Sequence, residues 1–199
     1  EKTFRKVIEI EPQVGVFREI FVYILLQSGN GSRAIEEAER GMEVLGRPSN
    51  FLNEIAESFM LNEQYLVQAE GWSREAVKKE PGVAKYQFTL ARILGYKGAW
   101  VEALGIMKEV LEDVELVKNQ LEAMIDFYID AAAAGYAEES LKILQGSASA
   151  GQLEPLAAGM GQDITRRVGM RAKEIEEIAK DVARKIEERR KKMKQGGKN

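Results

Sequence analysis

The chain of 199 residues contains neither cysteine nor histidine. Without cysteine it forms no disulfide bond and offers no thiolate to a metal ion. Without histidine it also lacks the usual nitrogen ligand of zinc and haem, and the usual general base of Ser-His and Cys-His catalysis. We therefore expect no metal site and no cofactor.

Long hydrophobic runs are also missing. No apolar stretch approaches the roughly 18 residues that a membrane-spanning helix needs, and the N-terminus does not resemble a signal peptide. The most apolar stretch, residues 17–28, is too short to cross a bilayer. On this basis we expect a cytoplasmic protein without a membrane span.

No arrangement of residues typical of an active site is present. Carboxylates are plentiful, but those at 36, 37 and 39, like those at 174, 176 and 177, follow solvent-facing helix surfaces. The glycines at 159 and 161 are not followed by the lysine of a phosphate-binding loop. Because paired acids in a defined pocket and an activated nucleophile are also missing, we expect that the chain is not an enzyme.

The composition instead favours an all-α protein. There are only four prolines, and the chain is 45% hydrophobic and 31% charged. The net charge of −3 is unevenly spread, since residues 184–199 contain eight basic and two acidic residues. Their balance of +6 leaves −9 for the rest of the chain. We interpret the basic end as a solvated tail; contact with nucleic acid or acidic lipid is the less favoured alternative.

A two-helix pattern recurs along the chain at steps of about 34 residues. It is clearest over residues 80–113, where two short amphipathic helices flank Gly98. Small residues recur in the second helix of each pair, at Ala34, Ala69, Ala103 and Ser140, with spacings of 35, 34 and 37 residues. A fixed period of this size is typical of helical solenoids, whose units stack to bury their apolar faces.

The period divides the chain into units. We predict a repeat array over residues 1–145, with a partial repeat at 2–12 and units at about 14–46, 49–81, 83–115 and 116–147. Residues 2–12 look like a second helix without its first, as expected for a fragment of a longer chain. The predicted helices run over residues 17–28, 33–45, 50–62, 66–79, 83–96, 100–112, 116–134 and 137–144. Ser32 is predicted to cap the second of these, and Ser49 or Asn50 the third.

Residues 146–199 are predicted to form a small-residue linker, a short helix at 152–160 and one long helix at about 163–194. The long helix has an apolar seam at Ala172, Ile175, Ala179, Val182 and Ile186. We expect this seam to cap the last repeat. Pairing of two copies as a coiled coil, or insertion of the helix into a groove, remain alternatives.

The repeated unit resembles the tetratricopeptide repeat family. In the third unit the matching positions are Leu90, Ala91, Leu94, Gly98, Ala103, Met107 and Val110. The second unit adds Ala69, Ala76 and Pro81, and the first adds Phe21, Val22, Leu25, Gly29, Ala34 and Gly41. The early tryptophan of the family is replaced by Gln87. The resemblance implies a right-handed superhelical solenoid of antiparallel helix pairs.

The resemblance also implies a concave groove lined by the first helix of each pair. The residues expected to face it are Glu19, Tyr23, Gln27, Asn53, Glu57, Leu61, Lys85, Phe88, Arg92, Tyr96, Ile125 and Ile129. Aromatic side chains would supply buried area, and Lys85 and Arg92 could hold a carboxylate. Alternatively, Tyr23 and Tyr96 pack between helices and Arg92 pairs with Glu57.

The functional expectation is a protein-interaction scaffold that binds a peptide or protein without chemistry of its own. The carboxylate clamp of chaperone-binding members is not expected, because Glu19 and Glu57 stand where cations or amides are needed. Pentatricopeptide repeats have a similar period, but their RNA-reading residues are not apparent here. The alternative is a regulatory or sensor segment that contacts other domains of the same longer chain; nucleic-acid binding is a third and weaker interpretation.

Overall fold

The computed structural model describes residues 2–148, apart from the side chains at positions 63, 114, 118, 141, 145, 147 and 148. This part of the chain is helical and has no β-strand, which confirms the all-α class. Its helices are α1 (Lys2–Ile10), α2 (Gly15–Gln27), α3 (Gly31–Leu45), α4 (Ser49–Met60), α5 (Leu66–Lys79), α6 (Ala84–Tyr96), α7 (Trp100–Val110), α8 (Val114–Asn119), α9 (Leu121–Ala131) and α10 (Ala137–Ala148). The predicted short and long C-terminal helices and the basic tail lie outside the described residues.

The described residues fall into two compact units, one ending at Leu121 and one beginning at Glu122. In the first unit, consecutive helices pack as pairs: α2 on α3, α4 on α5, and α6 on α7. Each second helix also contacts the next first helix, α3 with α4 and α5 with α6, and α1 contacts α2 in the same way. The first helices form a further row, α2 with α4 and α4 with α6.

The turns inside two of these pairs have the same hydrogen bonds. After α2, the backbone N–H of Asn30 donates to the carbonyl of Leu25 at 2.9 Å. After α6, Ala99 donates to Leu94 at the same distance, 2.9 Å. The intervening glycines have positive φ, +72° at Gly29 and +77° at Gly98. Glycine adopts this left-handed backbone without the cost that a Cβ would impose, so it ends both helices in a Schellman turn.

The middle pair turns differently. A short 3₁₀ segment, Glu63–Tyr65, joins α4 to α5, and the Asn62 side chain accepts from the backbone N–H of Gln64 at 3.3 Å. This connection is longer than the other two and contains no glycine. Tyr65 from this turn lies against the start of α3, where a Cβ on Gly31 would collide with its hydroxyl group.

Three details of the predicted helices are wrong. Helix α3 begins at Gly31, because Ala34 already donates to the carbonyl of Asn30, so Ser32 lies inside the helix. Helix α4 begins at Ser49 behind Pro48, so neither Ser49 nor Asn50 is the cap. The helix predicted over residues 116–134 is divided into α8 and α9 at Gln120, where φ is −118°. No glycine or proline accompanies that break, so the sequence contains no signal that would have predicted it.

The core of the first unit consists of the apolar stripes of these helices. The recurring small residues Ala34, Ala69 and Ala103 are all fully buried, as the period predicts. Around Ala69, the ring of Phe59 stands edge-on to Trp72 with centroids 5.0 Å apart, and edge-on to Tyr65 at 5.6 Å. Burial of each such ring contributes about 2–3 kcal/mol, and an alanine beside them lets two helices approach closely.

Candidate functional site

We define the first-helix face as the charged, aromatic and apolar side chains of α2, α4 and α6, with Leu61 after α4, that lie outside the core. Of the residues predicted there, Tyr23 and Tyr96 are each 49% exposed and Leu61 is 69% exposed. The alternative that the two tyrosines pack between helices is therefore wrong. Gln27 and Lys85 are also exposed, whereas Glu19, Glu57 and Arg92 are partly buried.

Two ion pairs cross this face from α6 to α4. The Lys85 ammonium lies 2.5 Å from Glu54 Oε1, and Arg92 lies 3.4 Å from Glu57 Oε1. The second pair is the one proposed from the sequence. The guanidinium of Arg92 also lies over the ring of Phe88, 5.5 Å from its centroid. Both cations expected to hold a ligand carboxylate are thus already occupied by carboxylates of the protein.

Glu19 has a different environment. It is half-buried, and burial, reinforced by the nearby charge of Glu54 and opposed by Lys85, raises the pKa of its carboxyl above the ordinary value. No cation lies within ion-pair distance of it among the described residues, whereas Lys85 binds Glu54 directly. At this end of the face there are therefore two carboxylates, Glu19 and Glu54, and one lysine, Lys85, which binds Glu54.

Asn53 is the residue whose position was least expected. It is fully buried on α4, and neither its amide oxygen nor its amide nitrogen has a hydrogen-bond partner among the described residues. Leaving a buried amide unsatisfied costs about 1–3 kcal/mol. Phe88 is buried as well, and in the second compact unit so are Ile125 and Ile129.

Sequence reasoning missed three side chains of this face. Glu54 accepts the Lys85 ammonium, and Val16 and Ile20 are exposed on α2, one turn apart. Val16 and Ile20 could have been found from the helical period, because residues four apart lie on the same side of a helix. Glu54 directly follows Asn53 in the sequence. Only the packing of α2, α4 and α6 shows that its carboxylate belongs to the first-helix face.

The second helices carry a separate set of ion pairs, which we call the second-helix network. Arg74 on α5 reaches Glu70 at 2.7 Å and both carboxylate oxygens of Glu102 on α7, at 2.9 and 3.1 Å. Lys97 also pairs with Glu70. The hydrogen bond from Lys97, with Arg74 in support, holds the pKa of the Glu70 carboxyl below its usual range.

The same network continues toward α3. Arg47 binds Glu75 through two hydrogen bonds of 2.9 and 2.7 Å, and it approaches Glu39 to 3.5 Å. These bonds lower the pKa of Glu75. The indole N–H of Trp72 donates to Glu39 at 3.1 Å. Because these contacts join one helix pair to the next, their role is to fix neighbouring pairs against each other.

A cleft of about 360 Å³ lies between α1, α2 and α3. At its base Arg18 is only 4% exposed and donates to Glu37 at 2.5 Å. One repeat period of 34 residues later, the equivalent position on α4 is Leu52, which is fully buried and apolar. The buried charge of Arg18 is therefore not repeated in the next helix pair. The charged residues of the cleft nearly balance, with arginines at 5, 18, 33 and 40 against glutamates at 9, 36 and 37. It therefore has no marked preference for either sign of ligand charge.

Within residues 2–148, no group of acidic side chains is arranged to hold a metal ion. Nor is any helix in that region both long enough and apolar enough to span a membrane. Comparison of the chain with known protein families, with curated proteins and with solved structures gave no significant match. The function has to be inferred from the residues themselves.

Proposed function

We propose that the chain is a protein-interaction scaffold, a tetratricopeptide-like stack of helix pairs that binds a peptide or protein on its first-helix face. The proposal is supported by the recurring pairs, by the identical turns at Gly29 and Gly98, and by the row of first helices α2, α4 and α6. Binding requires a preformed surface and no chemical step.

The observation that carries the proposal is the exposed apolar area of the first-helix face. Leu61 is 69% exposed, Tyr23 and Tyr96 are about half exposed, and Ile20 is 41% exposed. Side chains of this kind bury large areas at little entropic cost when a partner covers them, and tyrosine is enriched among the residues that dominate binding energy. Two ion pairs join α4 to α6 across this surface.

The second helices also expose valines, and these provide a matched control. Val67 on α5 and Val101 on α7 are at least 70% exposed, but they lie on the other helix of each pair. Replacing them with serine removes a similar amount of exposed apolar surface without touching the first-helix face.

To test the proposal, 12-residue peptides would be selected from a random display library against the immobilised chain, and their affinities measured by fluorescence anisotropy. The selected peptides should lose about tenfold in affinity for a Leu61→Ser, Tyr96→Ser variant and keep their affinity for Val67→Ser, Val101→Ser. Equal losses in both variants, or selection of no peptide at all, would contradict the proposal. Far-UV circular dichroism checks that both variants remain folded.

A further inference from the structure

We infer that the cleft between α1, α2 and α3 binds a small uncharged molecule that combines an apolar ring or chain with an amide or carbonyl oxygen, and that this oxygen accepts a hydrogen bond from Arg18. The site is separate from the first-helix face, because none of that face's side chains lines the cleft. The inference therefore goes beyond the proposed function and does not depend on it.

The cleft has the size and the apolar base of a small-molecule site. Its volume of about 360 Å³ lies in the range of roughly 300–1,000 Å³ that such sites occupy. Ile8, Phe21 and Leu25 line it, and each of them is at most 8% exposed. Apolar side chains at the base favour an apolar ligand body, because its burial removes apolar surface from water.

Arg18 supplies hydrogen-bond donors that the protein does not use. A guanidinium carries five N–H groups. Nη1 donates to Glu37 at 2.5 Å and Nε donates to the carbonyl of Pro12 at 3.5 Å, whereas Nη2 has no acceptor among the described residues. Because a buried donor without an acceptor is unfavourable, an oxygen atom bound in the cleft would stabilise this side chain.

The equivalent positions in the next two helix pairs show that the packing does not require a cation here. Leu52, one period later, is fully buried and apolar. Gln87, a further period along the chain, donates to the carbonyl of Pro81 at 3.0 Å, as Arg18 donates to that of Pro12. An uncharged amide is therefore sufficient for the bond to the proline carbonyl.

Glu37 departs from the repeated pattern in the same way. The equivalent position on α5, 35 residues later, is Trp72, which is only 5% exposed. The ion pair of Arg18 and Glu37 thus stands where the next helix pair has leucine and tryptophan. Because a buried ion pair seldom stabilises a fold more than apolar side chains would, this exchange indicates a role other than stability.

The charges around the cleft favour a ligand that has none. Glu37 already neutralises Arg18, and the arginines and glutamates of the lining nearly balance. A ligand carboxylate would have to displace Glu37 or lie beside it, and a ligand ammonium would lie beside Arg18; either arrangement brings like charges together. A carbonyl oxygen avoids both, since it can accept from Nη2 while the ion pair stays intact.

Four probes that share a phenyl ring test the inference: benzamide has an uncharged acceptor, toluene has no acceptor, benzoate is an anion and benzylamine is a cation. Chemical-shift titrations of the isotope-labelled chain at neutral pH should give millimolar dissociation constants, as expected for molecules of this size. Benzamide should bind about fivefold more tightly than toluene, which corresponds to one net hydrogen bond, and about tenfold more tightly than either charged probe. The shifts should concentrate on the amides of α1, α2 and α3.

The double variant Arg18→Leu, Glu37→Leu removes the donors and leaves an apolar cleft. In this variant benzamide should lose its advantage over toluene, whereas toluene should bind at least as tightly as it does to the parent chain. Arg74→Gln, which removes a cation on α5 outside the cleft, is the matched control and should leave all four affinities unchanged. Thermal unfolding checks that both variants are folded, and the ranking of the probes on the parent chain tests the inference without either variant.

Each contrary outcome removes a different part of the inference. Tightest binding of benzoate or benzylamine would overturn the uncharged ligand. Equal binding of benzamide and toluene to the parent chain, or an unchanged advantage of benzamide in the double variant, would overturn the role of Arg18. No binding of any probe, or shifts confined to α4–α7, would overturn the site itself. None of these results concerns the peptides selected for the first-helix face, so the two proposals fail separately.

Discussion

On the second helices, Arg74 is held by Glu70 and Glu102, and Arg47 by Glu75. On the first helices, Glu19 has no ion-pair partner of its own within the described part of the chain. The pKa values follow this difference, since those of Glu70 and Glu75 are lowered while that of Glu19 is raised. Both faces therefore use ion pairs to join neighbouring helix pairs, but only in Glu19 of the three is burial the dominant influence on the pKa. Our proposal that ligands bind the first-helix face rests on its exposed apolar side chains, and the pKa contrast offers a way to compare the two faces.

The largest expected effect concerns Arg18, whose charge is buried between α2 and α3 and belongs to neither face. Replacing it with leucine removes the 2.5 Å partner of the largely buried Glu37 carboxylate. We expect a loss of about 3 kcal/mol in the free energy of unfolding, because a buried charge without its partner is strongly unfavourable. Urea titration measures it.

The control for that prediction is the double variant Arg18→Leu, Glu37→Leu. Removing both charges should restore most of the lost stability, since apolar pairs replace buried ion pairs at little cost. If the double variant were as unstable as the single one, the pair would have a structural role beyond mutual neutralisation.

The next prediction compares two adjacent residues of α4 that are both fully buried. Leu52→Ala should cost about 3 kcal/mol, because it removes apolar contacts and leaves a cavity. Asn53→Ala should change the stability by less than about 1 kcal/mol, because the cavity is offset by removal of an unsatisfied amide. Thermal unfolding of both variants distinguishes them. An equally large loss in Asn53→Ala would show that its amide has partners in solution.

A smaller effect tests the opposite pKa shifts directly. At pH 7, Glu75→Gln should lower the free energy of unfolding by about 0.5 kcal/mol, whereas Glu19→Gln should raise it by a similar amount. The lowered pKa of Glu75 means that its contribution is present above the ordinary value of 4.5 and is lost as the pH falls through the folded-state pKa. The raised pKa of Glu19 means that its ionised form destabilises the fold above the folded-state pKa.

The changes in the free energy of unfolding caused by Glu19→Gln and by Glu75→Gln should therefore both vanish as the solution is acidified. For Glu19→Gln the gain disappears as the pH falls through the raised pKa toward 4.5; for Glu75→Gln the loss disappears below 4.5. Unfolding curves at a series of pH values measure both. Effects of the same sign in the two variants would remove the contrast between the faces.

The smallest expected effect is the salt dependence of the second-helix network. Arg74→Gln should cost about 0.2–1 kcal/mol at low ionic strength, because its partners are partly exposed. The cost should fall by at least half in 1 M NaCl, where the Debye length is about 3 Å. A salt-independent cost would mean that Arg74 stabilises α5 by packing instead of by charge.

Much of the helical pattern could be read from the chain alone. Gly29 and Gly98 can be recognised as turn residues because a left-handed backbone favours glycine. Ala34, Ala69 and Ala103 can be recognised as sites of close helix contact because their spacing matches the length of one helix pair. The break at Gln120 was not predictable, since no glycine or proline accompanies it. The tetratricopeptide-like arrangement and the binding function stay predictions.

What the sequence by itself determined is the all-α class and the pairing of helices, because helical periodicity and turn chemistry are local properties. Only the tertiary structure decided which charges meet. Glu54 and Lys85 lie 31 residues apart, yet they bind each other. Electrostatic pairing depends on distances between helices, and packing alone sets those distances.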